Sequence, residues 1–589
     1  MNGKAINRNL LLPVFILALL SQPVHSTVLY VNANVQGGNQ DGTSWANAYP
    51  LLQSSIIAAQ YGDTIWVAQG TYLPTTGTNR NISFTLKNGV KMFGGFAGAE
   101  TALVERDWET NATILSGDIG VPGDSTDNCY TVVYCQFADS TTVLDGFVIT
   151  GGNADSQVAL EPANGRTKSG GGMYLVSFLP AADNRLAIVN CKFIKNYAVV
   201  NGGAIYMNSS ASGSVTPRIE NSRFEHNAAF NGGGIYKASS SMAYDMLISG
   251  CHFWQNWAKF GSGIQYQNNY GNKDLVIRDC DFLKNFNVAD GTVHQEVNNS
   301  SGTLKAIHCT FEENIAGGIG SSIYCFLNVP SPELEVDSCI FRSNLSGEGT
   351  VSIFGFNDGF AEIKNSKFIN NQGFQAVCLY APGTLLAVKN CNFSSSHYPY
   401  PDGPKVGVAF TFYLGSSTLP ASRFTNCTFY DNHGTETGTI SSSSILNIEN
   451  CIFSKNDLSQ NGKLIKYVGN NLNISHSLAD VSGCNAIADS NFTCGPGMLY
   501  LQDPLFADTA ASDFTLLPCS PAINAGDNAI VDSLGILTDL AGNPRILGGT
   551  VDMGAYEAPA LSVDTSLIAL PSCGGTANGA VQFQLAHGC

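Results

Sequence analysis

The chain has 589 residues, a formal net charge of −17 and only 13% charged residues, against 62 glycines. Nucleic-acid binding calls for basic patches, so this balance argues against such a partner, and the acidity itself is read as serving solubility. A length that would ordinarily imply several domains loses that meaning if the chain repeats, because a solenoid grows along one axis without needing a new core.

In chain order, Lys4 and Arg8, the apolar run Leu10–Leu20 and Val24-His25-Ser26 have the layout of a secretory signal peptide over residues 1–26, cleaved after Ser26. Residues 27–80 are expected to form an N-terminal cap. Tyr30-Val31-Asn32-Ala33 reads as a strand, and Leu51, Leu52, Ile56 and Ile57 fall at helical spacing, which predicts a short capping helix over Leu51–Tyr61. A helix laid across the open end of a solenoid covers its unpaired edge. Residues 81–494 are expected to be rungs, irregular at first, with a loop over Ala154–Gly170 that projects from the stack.

From Asn190 one unit recurs. Cys191-x-Phe193-x-x-Asn196 returns as Cys251, Phe253, Asn256; Cys280, Phe282, Asn285; and Cys309, Phe311, Asn314; it continues to Phe453 and Asn456 with a period close to 29 residues. Such a period marks a repeat architecture. Residues two apart on a strand share a face, so each Cys and Phe point the same way, as on the inner wall of a narrow tube. The Asn falls where the strand turns. Asn tolerates left-handed backbone there, and its amide can bond to its copies in neighbouring rungs. A Gly-Gly-x-Ile-Tyr segment follows, as in Gly202–Tyr206 and Gly232–Tyr236, and supplies the tight corner before the next strand. The repeats lack sustained helical periodicity and are rich in Gly, Asn and Ser, which makes a helical solenoid a poor competitor. The fold class expected is all-β: a right-handed parallel β-helix solenoid with a short N-terminal capping helix.

Of 17 cysteines, eight lie in the ladder, where parallel Cβ vectors disfavour disulfides and favour buried thiols. Cys484 and Cys494, outside it, are the better disulfide candidates. The insert His397–Pro404, rich in Tyr and Pro, is a candidate surface loop. Residues 495–558 are expected to be a C-terminal cap, and residues 559–589 a linker with the start of a truncated adhesin-type repeat.

Gly42-Thr43-Ser44-Trp45, Gly62–Ala68, Gly89–Phe96 and Leu144–Gly152 together resemble secreted parallel β-helix proteins of Bacteroidota, with the pectate-lyase-like fold. The Phe-x-x-Asn and Gly-Gly-Ala-Ile units are similar to those of chlamydial polymorphic outer-membrane proteins, which are surface adhesins. Asp503–Phe506, Cys519–Gly526, Asp539–Arg545 and Val551–Glu557 resemble a terminal module that precedes a cell-surface anchor, and Pro571–Val581 resembles the opening of gliding-type adhesin repeats. The resemblance implies a secreted or outer-membrane-associated protein whose type IX secretion signal lies in a missing C-terminal tail. One scaffold hosts many functions, so it implies the fold more firmly than any activity.

Enzymes of this fold place carboxylates, often with Ca²⁺, on an outward strand face. The outward position after the Ile of each rung reads Tyr206, Tyr236, Gln265, His294, Tyr324, Ser352, Cys378, Ser441 and Lys466, without Asp or Glu. That argues against a lyase or hydrolase; no catalytic residue, metal site or resident cofactor is assigned. The same row suggests glycan binding by Tyr206, Tyr236, Gln265, His294 and Tyr324, since tyrosine joins an apolar face to a polar tip; ordinary strand packing is the competing explanation. His294 with Glu296 is a candidate acid–base pair. Asp118, Asp124 and Asp127 crowd one loop that could hold Ca²⁺ or simply be solvated. The expected function is a non-catalytic surface β-helix, adhesin or glycan-binding spacer; the alternative is an extracellular polysaccharide lyase or glycoside hydrolase.

Overall fold

The computed structural model describes residues 26–159, 161–177, 183–209, 213–239, 244–268, 274–297, 302–327, 333–355, 359–373, 375–380, 384–397, 410–412, 421–434, 438–443, 445–469, 471–559, 562–569 and 580–586. The signal peptide, the insert beyond His397 and most of the Pro571–Val581 motif lie outside the described residues.

A full rung holds four short strands. In one rung these are Leu275–Arg278, Asp281–Leu283, Phe286–Asp290 and Val293–Val297. Each pairs in parallel with its copy in the next rung, giving four sheets of 16, 15, 7 and 13 strands that run along one axis. The chain is a parallel β-helix. We call these the first to fourth sheets, in the order the chain visits them. The third is the shortest, from Asn153–Ala154 to Leu345–Ser346.

Phenylalanines of the second sheet fill the tube. Phe253, Phe282 and Phe311 are buried and in register, with centroids 4.7 Å apart and rings within 8° of parallel. Burying each is worth about 2–3 kcal/mol relative to exposure. The asparagines form an amide ladder from Asn196 to Asn371, resumed at Asn432 and Asn456 beyond Ser396, which stands in an asparagine's place. Asn285 Oδ1 accepts from the backbone N–H and Nδ2 of Asn256, while its own Nδ2 donates to Phe253 O and to Asn314 Oδ1, all at 2.9–3.1 Å. The left-handed residue of this turn is not the asparagine, as expected from the sequence, but the one before it: Lys195, His226, Gln255, Lys284 and Glu313 have φ of 50–55°. The asparagine amide must face inward to bond, so the strain falls on its exposed neighbour.

The ladder cysteines are free and buried. Cys280 Sγ donates to Arg278 O at 3.2 Å and accepts from the backbone N–H of Cys251 at 3.4 Å. Cys484 and Cys494 form a disulfide. One polar file interrupts the apolar wall: Met207, Lys237, Tyr266, Gln295 and Cys325 stand in register on the inner face of the fourth sheet. Lys237 is fully buried, with Nζ donating to Ala238 O at 3.3 Å, and burial pushes its ammonium down to about 7.

The capping helix spans Leu52–Ala58, shorter than expected. Leu52 and Ile56 enter the tube core, whereas Leu51 and Ile57 are exposed, because one turn reaches the opening with a single stripe. At the other end Val481, Ile487 and Ala488 join the core. Residues 503–558, most of the segment 495–558 expected as a C-terminal cap, lie along the flank. Asn390 Nδ2 donates to Thr538 O, the Asn426 amide oxygen accepts from the buried Arg545 guanidinium, and Asn450 bonds both the N–H and the carbonyl of Asp527. Phe514, Ala555 and Tyr556 pack on Tyr430, and Met553 and Ala522 on Ile452 and Leu478. The corner asparagines offer a row of outward amides, and this segment meets Asn450 at Asp527, Asn390 at Thr538 and Asn450 again at Gly554. Ser562–Ala569 and Ala580–Ala586 form an antiparallel hairpin. No helix among the described residues is long and apolar enough to cross a membrane.

Candidate functional site

Between the third and fourth sheets each rung makes a sharp elbow. Gly202, Gly232 and Gly261 have φ of 63–64°, and a Cβ on Gly202 would collide with the Ile205 carbonyl oxygen. The bend turns the outer face of the fourth sheet toward the last residues of the third. A side chain on Gly291 would meet Tyr324 Cβ of the next rung at 2.7 Å.

The five residues singled out as glycan candidates form one file. Tyr206, Tyr236, Gln265, His294 and Tyr324 are paired rung to rung, outside the tube core. They are not open strand residues, however: their exposures run from 1 to 8%. Their rings lie on one another, Tyr206 on Tyr236 at 5.7 Å and 4°, and His294 on Tyr324 at 4.8 Å, so neighbours occupy much of the ring faces a sugar would use. Tyr134 and Tyr174 extend the stack upward and were not noticed in the sequence, since their rungs precede the regular repeat. The Ala154–Gly170 loop does not project but packs over this end. Tyr174 Oη donates to Asn164 O at 2.8 Å, and the Arg166 guanidinium sits 5.0 Å above the Tyr134 ring.

Lower down the elbow is acidic. Asp290 ends its third-sheet strand opposite Phe260, and Glu348 follows two rungs on. Burial, reinforced by Glu348 and opposed by Lys259, raises the Asp290 carboxyl to about 6. Burial pushes the Tyr324 phenol up, and the charges of Asp290, Glu296 and Glu348 push it further. Glu348 Oε2 lies 3.9 Å from Cys378 Sγ. Glu296 accepts from Gln267 Nε2 at 2.8 Å, and Gln267 Oε1 accepts from Tyr236 Oη at 2.7 Å. Burial alone holds His294 down to about 3, so it is neutral near pH 7 and lacks the charge required of the acid half of a pair with Glu296. His294 Nδ1 and Gln265 Oε1 are buried without a hydrogen-bond partner. The carboxylates of Asp290 and Glu348, which strand alternation does not reveal, thus stand at or just past the end of the third sheet, one corner before this file.

The outer face of the third sheet carries the accessible aromatics. Tyr197, Ala228, Trp257, Phe286 and Ile315 are in register, and Tyr197, Trp257 and Phe286 are 40–42% exposed. Phe230 and Val288 form a second exposed row beside them, with Lys259 Nζ about 5 Å from the Phe230 ring. The signal was present in the sequence: these are the residues immediately after each ladder asparagine. The Asp118–Asp127 loop spends its carboxylates internally, Asp118 on the Gly123 N–H and Asp127 on the Val121 N–H. Among the described residues no group of three or more His, Cys, Asp or Glu is placed to hold a metal ion.

No protein-family model matches the chain, and no curated protein matches its sequence. Solved structures with a similar course include pectate lyase Pel9A, at 12% identity over 90% of this chain and 96% of that one, with a TM-score of 0.32. A second is the catalytic unit of a GH87 α-1,3-glucanase from Streptomyces thermodiastaticus strain HF3-3, at 12% identity over 82% and 71%, TM-score 0.27. A third is XylC in complex with xylose, at 10% identity over 90% and 99%, TM-score 0.34.

Proposed function

We propose that the protein is an exported, surface-displayed β-helix that binds carbohydrate on the outer face of its third sheet and at the adjoining elbow, without catalysis. The observation that carries this reading is the register of Tyr197, Trp257 and Phe286, exposed on successive or near-successive rungs beside polar groups. Flat aromatic faces take the apolar faces of sugar rings, and a rung repeat of about 4.8 Å is commensurate with an extended glycan lying along the axis. Tyr206 and Tyr236 are closed off by their own stack, so in this reading the glycan contacts lie on the third sheet, with Gln265, His294 and Tyr324 as the wall beside it. The signal-peptide pattern supports export, and passage through type IX machinery at the outer membrane belongs to the same proposal. A glycan array probed with wild type and with Trp257→Ala/Phe286→Ala tests it. Binding by wild type and loss of at least ten-fold in the variant is expected; a blank array, or equal binding by both proteins, overturns it.

A second reading, a glycoside hydrolase or polysaccharide lyase, draws on one observation: Asp290, held toward its protonated form, feels the charge of Glu348. Products released from polysaccharides by wild type and not by Asp290→Asn would replace the first reading with this one.

A further inference from the structure

The outer face of the third sheet also says which carbohydrate. Four successive rungs each expose one large ring, Tyr197, Phe230, Trp257 and Phe286, all 40–44% exposed. Phe230, in the second row, stands on the rung where the first row holds only Ala228. The core does not need these rings, since the first three of these strands turn Ala198, Ala229 and Ala258 inward. Nor do the rings cover one another. Among the described residues no other ring stacks on Tyr197, Trp257 or Phe286, although Trp257 and Phe286 are cross-strand partners; Phe253 and Phe282 of the same two rungs stack at 4.7 Å. Their faces are left for something outside the chain, and flat aromatic faces take the apolar faces of sugars.

Charge is an independent observation. Beside the rings the left-handed turn residues Lys195, His226, Gln255, Lys284 and Glu313 form an exposed polar edge, and Lys284 pairs with Glu313 at 3.3 Å. From Tyr197 to Ile315 the two outward rows themselves carry one charge, that of Lys259. Neither sign repeats from rung to rung, as a polyuronate or a polyamine would require of its partner. An edge of mixed donors and acceptors suits hydroxyl groups instead. The spacing sets the linkage. Rings on four consecutive rungs, each about 4.8 Å from the next, are covered together by a straight chain whose sugars all lie face-down at a similar step. Equatorial β-1,4 links give such a ribbon, whereas α-1,4 links coil and lift the sugar faces away.

We infer that the bound glycan is an uncharged chain of β-1,4-linked pyranoses lying along the axis from Tyr197 to Phe286, one sugar to a rung, with its hydroxyl edge on the turn residues Lys195 to Glu313. This rests on the carbohydrate-binding reading and names its substrate class.

The test is titration calorimetry with four probes: cellohexaose, cellobiose, maltohexaose and hexagalacturonate. Wild type is expected to bind cellohexaose at least about ten-fold tighter than each of the others, with an affinity unmoved by added salt. Phe230→Ala and Trp257→Ala, each checked for an unchanged melting curve, are expected to weaken cellohexaose by about five-fold or more. Maltohexaose bound as tightly as cellohexaose overturns the linkage, and hexagalacturonate bound as tightly overturns the charge assignment; both leave carbohydrate binding standing. Cellobiose bound as tightly overturns the lengthwise course. Full cellohexaose affinity in Phe230→Ala overturns the placement of one sugar to a rung. Concentration-dependent dimerisation that Trp257→Ala abolishes gives this face to a second copy of the chain and overturns the inference together with the broader reading. If none of the probes binds, the inference fails, and the glycan array decides separately whether the broader reading fails with it.

Discussion

The inner wall of the second sheet and the outer face at the elbow obey opposite rules. Along the wall the same three residue types recur: Phe stacks on Phe, and each Asn donates to the next. At the elbow the register is equally strict, yet its occupants change from tyrosine to glutamine to histidine and back to tyrosine. An identical side chain satisfies its copy above and below only where nothing else has to be met. Variation on a fixed register therefore marks places where the copy in the next rung does not decide the residue, as it also does in the inward file of Met207, Lys237, Tyr266, Gln295 and Cys325.

That contrast can be broken by substitution. The largest effect is expected on the wall, where Phe282→Ala should cost about 3–5 kcal/mol through lost burial and a cavity between two rings. Asn285→Ala should cost about 3 kcal/mol or more, since it leaves the Asn256 amide and backbone N–H and the Phe253 carbonyl without partners. Denaturant titration with hydrogen exchange read rung by rung checks both. Loss confined to a few neighbouring rungs is expected, because stability in a solenoid is a sum of nearest-neighbour terms. A global loss would show that the wall is more cooperative than its periodicity implies.

Lys237, on the inner face of the fourth sheet, tests an exception in the tube's apolar lining. Its pKa falls from 10.5 to about 7 on folding, so between those values the unfolded chain binds more protons and stability rises with pH. Lys237→Met should stabilise by about 1–4 kcal/mol near pH 7, with the gain shrinking toward pH 10. Paired denaturation curves at pH 7 and pH 9.5 measure it, and a gain independent of pH would contradict the burial account.

Smaller effects are expected outside the tube. Asn450→Ala removes the bonds to Asp527 and should cost about 1–2 kcal/mol, read as faster proteolysis of residues 503–558 with the rungs unchanged. Trp257→Ala should alter stability by only about 0.5 kcal/mol while removing carbohydrate binding. A stability loss as large as that of Phe282→Ala would return Trp257 to the structural side of the comparison.

The wall could be read from the sequence because its rule is local and repeats: a spacing of two for Cys and Phe, then three to Asn. The flank course of residues 503–558 could not, since it depends on outward amides at Asn390, Asn426 and Asn450 more than 75 positions before their partners. The elbow was half legible. Register placed Tyr206 through Tyr324 in one file, but strand alternation says only which way a side chain points. It does not say that the bend at Gly202 and its copies turns the third sheet against that file. For the same reason Asp290 and Glu348 are not legible: Asp290 ends its third-sheet strand and Glu348 follows Leu345–Ser346, one corner before that file, where strand length varies from rung to rung.

The sulfur column at the corner before the second sheet has a use beyond packing. Cys251, Cys280, Cys309 and Cys339 remain thiols, one per turn of the coil, and burial keeps them out of reach of aqueous reagents. Each separation of adjacent coils would uncover a single reactive sulfur at a known height. Timed alkylation followed by peptide mapping would thus record the sequence in which the tube unzips, with the protein acting as its own graduated gauge.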